Sequence, residues 1–185
     1  TLDQQFQSTS AEVEENINNQ KINLKFIIKE LEPIYVEKIN IFGNNVTRES
    51  VIRNQFLVDE GDPYNIILAN KSLNNIKSLN FFKSVRSEII EGSNPNLKII
   101  NYYVEEKPTG EITAGAGVGT GGGTIAFGVK ENNYLGKGIN LDLAAVIDSE
   151  SANGNFTVIN PNFQNSDKSI ILNVNADETD RLTSA

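Results

Sequence analysis

The chain has 185 residues, enough for one or two domains with a real hydrophobic core. It holds no Cys and no His, which excludes thiol catalysis, a Cys/His zinc site and a histidine triad. A net charge of −8 argues against nucleic acid as a partner, and no apolar run reaches the roughly 18 residues of a membrane helix. Membrane β-strands escape that last test, because their signal per strand is weak.

Residues 1–31 read as the end of a domain. Ile22, Leu24, Phe26 and Ile28 alternate with Lys21, Asn23, Lys25 and Lys29, the pattern of a half-buried strand. Its expected partner lies around Phe6 to Val13, across an Asn-rich turn at Asn16 to Asn19. Residues 33–107 read β-α-α-β-β. A strand over 34–42 ends at Gly43-Asn44-Asn45. Thr47 is the expected N-cap of a short helix carrying Glu49, Val51, Ile52 and Phe56. Gly61-Asp62-Pro63 is a turn, and Asn65 caps a second helix with the stripe Ile66, Ala69, Leu73 and Ile76. Strands over 82–90 and 97–105 follow, so two helices lie against a three-stranded sheet in a small α+β module.

Beyond Pro108 only strand patterns, Gly and Asn remain. The stretch GAGVGTGGG at 115–123 contains G-x-G-x-x-G, the form of a phosphate-binding loop. That loop needs a helix opening on its last glycine. Residues 124–129 alternate instead as a strand, so no nucleotide and no other cofactor is expected. In the first strand Ile112, Ala114, Ala116 and Val118 alternate with Thr113, Gly115, Gly117 and Gly119. Ile125, Phe127 and Val129 follow, then Ile139, Leu141, Leu143, Ala145 and Ile147, a shorter strand around Phe156 to Asn160, and Ile170, Leu172, Val174 and Ala176. One side is apolar and the other small or polar. On pattern alone a soluble sandwich is the favoured reading, since soluble antiparallel sheets alternate in the same way. An outer-membrane barrel, apolar toward lipid and polar toward its lumen, fits equally in kind, and about five strands are then only part of one.

Several motifs decide between them. Glu105-Glu106-Lys107-Pro108-Thr109-Gly110 joins the α+β module to the Gly-rich strand. Glu131-Asn132-Asn133-Tyr134-Leu135-Gly136-Lys137-Gly138, Asn160-Pro161-Asn162-Phe163 and Ser78-Leu79-Asn80-Phe81-Phe82-Lys83-Ser84-Val85 complete the set. Together they resemble the bacterial surface antigen family of POTRA-plus-barrel proteins, whose turn after the second barrel strand reads D-N-x-L-G-x-G and whose fourth strand ends N/D-P-Y-F. Asn132 replaces the usual acid here, and Asn162 the usual Tyr.

The resemblance implies the end of the penultimate POTRA domain in 1–31, the last POTRA domain in 33–107, and roughly the first five strands of a larger barrel in 109–185. It implies an outer-membrane location with the POTRA part in the periplasm, and a protein that folds and inserts β-barrel proteins into that membrane. Its partners would be unfolded barrel clients, lipoprotein subunits of the assembly complex, and lipid. Clients would pair along the first strand, Ile112, Thr113, Ala114, Gly115, Ala116, Gly117, Val118 and Gly119, by β-augmentation. Small residues suit that edge by adding few cross-strand contacts; glycines relieving crowding where a barrel curves would give the same composition. Glu60, with Arg53 as a weaker neighbour, matches the lipoprotein contact, although ordinary solvated charge accounts for both. Ile125, Phe127, Leu141, Leu143 and Leu172 would face lipid. A transporter of the same build that secretes a protein across the outer membrane is the alternative, followed by a soluble peptide-binding β module. An enzyme is not expected, since no paired acids, nucleophile–base set or metal-ligand spacing stands out. Asp142 and Asp148 share a strand face, as charges facing a barrel lumen would.

Overall fold

The computed structural model describes residues 9–18, 21–30, 32–120, 122–166 and 168–179. The chain folds into two compact units. The first comprises Thr1–Phe42, Gln55–Ile76 and Val85–Tyr103, the second Gly43–Asn54, Lys77–Ser84 and Val104–Ala185. The expected division at Pro108 is therefore not where compactness divides the chain, because three segments before it associate with the strands after it.

In the first unit, β1 (Thr9–Asn18) and β2 (Lys21–Glu30) pair antiparallel. The expected turn at Asn16 begins too early. Ile17 pairs with Ile22, so a β-branched ladder pair overrides the turn preference of Asn16. Phe6 and Asn19 lie outside the described residues. Val13 faces Phe26 on one side, while Glu14–Lys25 and Glu12–Lys29 ion pairs decorate the other.

The POTRA-like sheet has the order β3-β5-β4, formed by β3 (Tyr35–Phe42), β4 (Phe82–Glu91) and β5 (Leu97–Glu106), with β3 parallel to β5. Helix α2 (Ile66–Ser78) begins as expected, with the Asn65 side-chain oxygen accepting from the Ile67 and Leu68 amides at 2.8 and 3.2 Å. Val36, Ile39, Ala69, Ile76, Ile100 and Tyr102 are buried in this unit. The helix stripe differs from expectation: Ile66 is exposed and Ser72 is buried. Ser72 is tolerated because its hydroxyl donates to the Leu68 carbonyl and accepts the Leu57 amide, so no polar group is stranded.

In the second unit, α1 (Glu49–Arg53) is a five-residue helix. Its N-cap position is Arg48, without a side-chain capping bond, in place of the expected Thr47. The rest is an antiparallel meander: β6 (Gly110–Gly119), β7 (Gly122–Tyr134), β8 (Ile139–Asp148), β9 (Ser151–Asn160) and β10 (Ile170–Thr179). Strand β9 starts well before the expected Phe156. Asn153, Gly154 and Asn155 are poor strand formers, yet Ala152 pairs with Ile147 and draws them into the ladder. The five strands form a sheet of their own, and its apolar side chains are largely exposed, unlike those of a sandwich core. Gly117 and Gly119 sit in β6, and Gly122 opens a strand, so the phosphate-loop motif has no helix to serve.

The register sorts the side chains into two faces. Rows across all five strands read Ile112–Val129–Leu143–Phe156–Val174 and Ala114–Phe127–Ala145–Gly154–Ala176 on one face. The other carries Glu111–Lys130–Asp142–Thr157–Asn173 and Thr113–Gly128–Ala144–Asn155–Asn175. The apolar rows lie open: Ile112 is 73% and Ile125 64% exposed.

Candidate functional site

Strand β6 is an edge. Among the described residues it pairs with β7 alone, so its second side presents unpaired backbone groups. Sequence gives no parity for those groups, but the ladder does. The Asn132 amide donates to the Thr109 carbonyl at 3.3 Å, which makes 109–132 a hydrogen-bonded pair. Alternation along an antiparallel ladder then turns the odd residues of β6 toward β7. The amides of Ile112, Ala114, Ala116 and Val118 point away from β7, on the open side. The side chains along this edge are small: a Cβ added at Gly115, Gly117 or Gly119 would meet nothing within 4 Å. Crowding among the described residues therefore does not require those glycines.

The root of β6 is built differently. The Glu131 carboxylate accepts the Thr109 hydroxyl and, at 2.7 Å, the Asn133 amide. Asn133 is buried; its amide nitrogen donates to the Thr47 hydroxyl at 2.9 Å, and its oxygen accepts the Gly138 amide at 2.8 Å. The Arg48 amide donates to the Gly136 carbonyl at 2.8 Å. Gly136, at φ +69°, has no room for a Cβ because the Val46 carbonyl oxygen occupies that place. Residues 43–48 and the β7–β8 turn are thus closely fitted.

Glu106 anchors the other side of that fit. It accepts the amides of Asn45, Val46 and Thr47 at 2.9, 2.9 and 2.6 Å. Burial alone pushes its carboxyl up, but the bonds from the Thr47 amide and hydroxyl and from the Val46 and Asn45 amides outweigh it. The net shift is below the ordinary 4.5. Thr47 is therefore occupied by Glu106 and Asn133, which explains why it does not cap α1. Sequence reasoning assigned no role to Glu106, Glu131 or Asn133. The visible signal was Asn133 placed inside a turn carrying two glycines.

The other expected residues fall as follows. Ile125, Phe127, Leu141, Leu143 and Leu172 share the apolar face, with Leu141 aligned through Val158 to Leu172. Glu60 is exposed, and its carboxylate accepts the Ile39 amide at 2.9 Å beside the irregularity in β3 between Val36 and Lys38. Arg53 donates to Glu49 at 2.6 Å. The two residues fall in different compact units.

A profile of the POTRA family, described as surface antigen variable number repeat, matches residues 34–107. The outer membrane protein assembly factor BamA of Neisseria meningitidis serogroup B is 27% identical over 150 residues, 80% of this chain and 19% of that protein. BamA of Neorickettsia risticii is 33% identical over 119 residues, 64% of this chain and 16% of that protein. The chain thus spans less than a fifth of these relatives. The crystal structure of BamA from Haemophilus ducreyi lacking POTRA domains 1–3 superposes with a TM-score of 0.73 at 25% identity, covering 96% of this chain and 34% of that one. CdiB from Acinetobacter baumannii shares the fold, with a TM-score of 0.52 at 16% identity over 85% of this chain and 30% of that one. A POTRA domain leading into an antiparallel sheet with one apolar face defines the class: the chain resembles the POTRA-plus-barrel proteins of the outer membrane, whose POTRA part is periplasmic. Within that class the chain is BamA-like.

Proposed function

We propose that the full-length protein folds and inserts β-barrel proteins into the outer membrane, and that an incoming strand pairs along β6. The observation that carries this reading is the edge itself, a ten-residue strand with one neighbour among the described residues, outward amides at alternate residues and almost no bulky side chains. Such an edge recruits a strand through backbone bonds and stays indifferent to side-chain identity. No covalent bond forms or breaks, so the role is not enzymatic. The relatives' names support outer-membrane protein assembly as the general activity. A transporter of the same build that secretes a protein is the alternative, and CdiB shares the fold alone; resemblance in sequence favours the assembly factors. The proposal takes 1–31 as the end of one POTRA domain, 33–107 as the last and 109–185 as barrel strands. Ile125, Phe127, Leu141, Leu143 and Leu172 face lipid in it, and Glu60, with Arg53, contacts a lipoprotein subunit of the assembly complex.

The test is a proline scan of β6 in the full-length protein, read by site-specific crosslinking to a nascent barrel client. Ala114→Pro or Ala116→Pro removes an outward donor and lowers client crosslinking. Ala116→Val keeps every backbone group and leaves crosslinking intact. Undiminished crosslinking in both Pro variants, with the barrel still inserted, would refute the pairing role.

A further inference from the structure

We infer that Glu131 is a positioning residue that sets the register of β6. The inference rests on the strand-pairing reading only for its consequence, since a client added to β6 inherits whatever register β6 holds. Two observations carry it. The first is that the turn half of the β6–β7 ladder specifies its register weakly. From Gly119 inward the pairs are Gly119–Gly122, Val118–Gly123, Gly117–Thr124, Ala116–Ile125 and Gly115–Ala126. None of these five opposes two side chains larger than a methyl. Gly-rich strands slip because little distinguishes one pairing from the next. The turn does not prevent it: glycines at 117, 119, 121, 122 and 123 supply turn residues in more than one frame. A slip by two residues keeps every side chain on its own face, so the apolar pattern does not oppose it either.

The second observation is the placement of Glu131. It pairs with Gly110 on one side and Leu141 on the other, which puts a carboxylate on the apolar face at the open end of the β6–β7 hairpin. Its oxygen is spent locally, on the Thr109 hydroxyl and the Asn133 amide. Asn132 adds backbone and side-chain bonds to the Thr109 carbonyl, both at 3.3 Å. Asn133 is buried against Thr47, so the clamp is rooted in a fixed part of the same unit. Thr109 can meet Glu131 in one register only. A two-residue slip carries the hydroxyl away from the carboxylate and leaves that carboxylate on the apolar face with the Asn133 amide alone. The acid thus stabilises the native register and penalises the slipped ones.

These 185 residues hold no cysteine, so introduced pairs report the register directly once any cysteine elsewhere in the full-length protein is replaced. The 112–129 pair is of the non-hydrogen-bonded kind, with Cα atoms close enough for a disulfide. The 112–127 and 114–129 positions are diagonal neighbours at about 7–8 Å and become opposite only after a slip in one direction or the other. Cysteine pairs at these three combinations would be oxidised in the full-length protein, inserted in lipid. The native background should yield the 112–129 disulfide almost alone. Glu131→Ala should raise the slipped disulfides about tenfold, the factor lost with one or two net hydrogen bonds. Glu131→Gln retains an oxygen that accepts from Thr109 and Asn133 and should restore the native pattern. Thr109→Val removes the hydroxyl while keeping the carboxylate, and should slip as Glu131→Ala does even where the alanine variant inserts poorly. Native-register disulfides alone in the Thr109→Val protein and in any inserted Glu131→Ala protein would overturn the inference. Client crosslinking is scored separately. Its persistence throughout the proline scan with the clamp intact refutes the pairing function and leaves the register role standing.

Discussion

Thr47 shows how one residue can be read correctly in chemistry and wrongly in place. A Thr ahead of an acidic first turn is a good N-cap, and a sequence offers no hint that the hydroxyl is already taken. Here Glu106, 59 residues away, accepts from both the Thr47 amide and its hydroxyl, and Asn133, 86 residues away, donates to the hydroxyl oxygen. Pairings of that range were invisible in the sequence, because no local pattern encodes them. The carboxylate that makes them gives a pH dependence with a definite sign. The folded-state pKa of Glu106 lies below 4.5, so its stabilising contribution is complete above that value and is lost as pH falls through the depressed one. Glu106→Gln removes the titration while preserving an acceptor. Urea midpoints of the full chain in detergent, taken at about pH 7 and about pH 3, should fall more steeply for the native protein than for Glu106→Gln. Parallel pH profiles for the two proteins would count against the anchoring role.

At the scale of strands, legibility followed period. The α+β order and most strands of the meander were readable because alternation and turn residues agree along each of them. Strand β9 was half missed, since Asn153, Gly154 and Asn155 carry no strand signal and are recruited by their neighbours' ladder. Which environment the apolar face meets was not readable, because a sandwich core and lipid select the same side chains. The register now provides a sharper probe than the pattern did. Leu143 lies mid-strand between Val129 and Phe156 on the apolar face; Asn155 lies on the other, opposite Ala144 and Asn175. Leu143→Arg should destabilise the inserted barrel by about 2–4 kcal/mol, and Asn155→Arg should be mild. Leu141 sits beside Glu131 near a strand end, so Leu141→Arg should cost only about 0–1 kcal/mol if that end reaches the interface. Urea titration of the protein folded into lipid vesicles measures all three. Equal costs at Leu143 and Asn155 would argue against a membrane barrel.

For the molecule as a whole, the decisive contrast is between a part with an interior and a part without one. Val36, Ile39, Ile100 and Tyr102 are buried at 2% exposure or less, and Tyr102 is enclosed enough that desolvation pushes its phenol up to about 12. Residues 110–179 hold no buried apolar side chain among those described, while Val118 and Leu172 are 96% and 54% exposed. Hydrophobic burial is the main term opposing chain entropy, so the two parts should behave oppositely when separated. Produced alone in water, residues 33–107 should fold and melt cooperatively. Their 43–48 loop should exchange its amides faster than in the full chain, because Asn133 and Gly136 are then missing. Residues 109–185 should give no folded monomer without detergent or lipid. Their open rows would instead associate, since five strands neither close into a barrel nor cover their own apolar face. Circular dichroism with sedimentation velocity separates the outcomes. A monodisperse, cooperatively melting β-monomer from residues 109–185 in plain buffer would contradict the membrane assignment of that sheet and return the soluble peptide-binding module to first place.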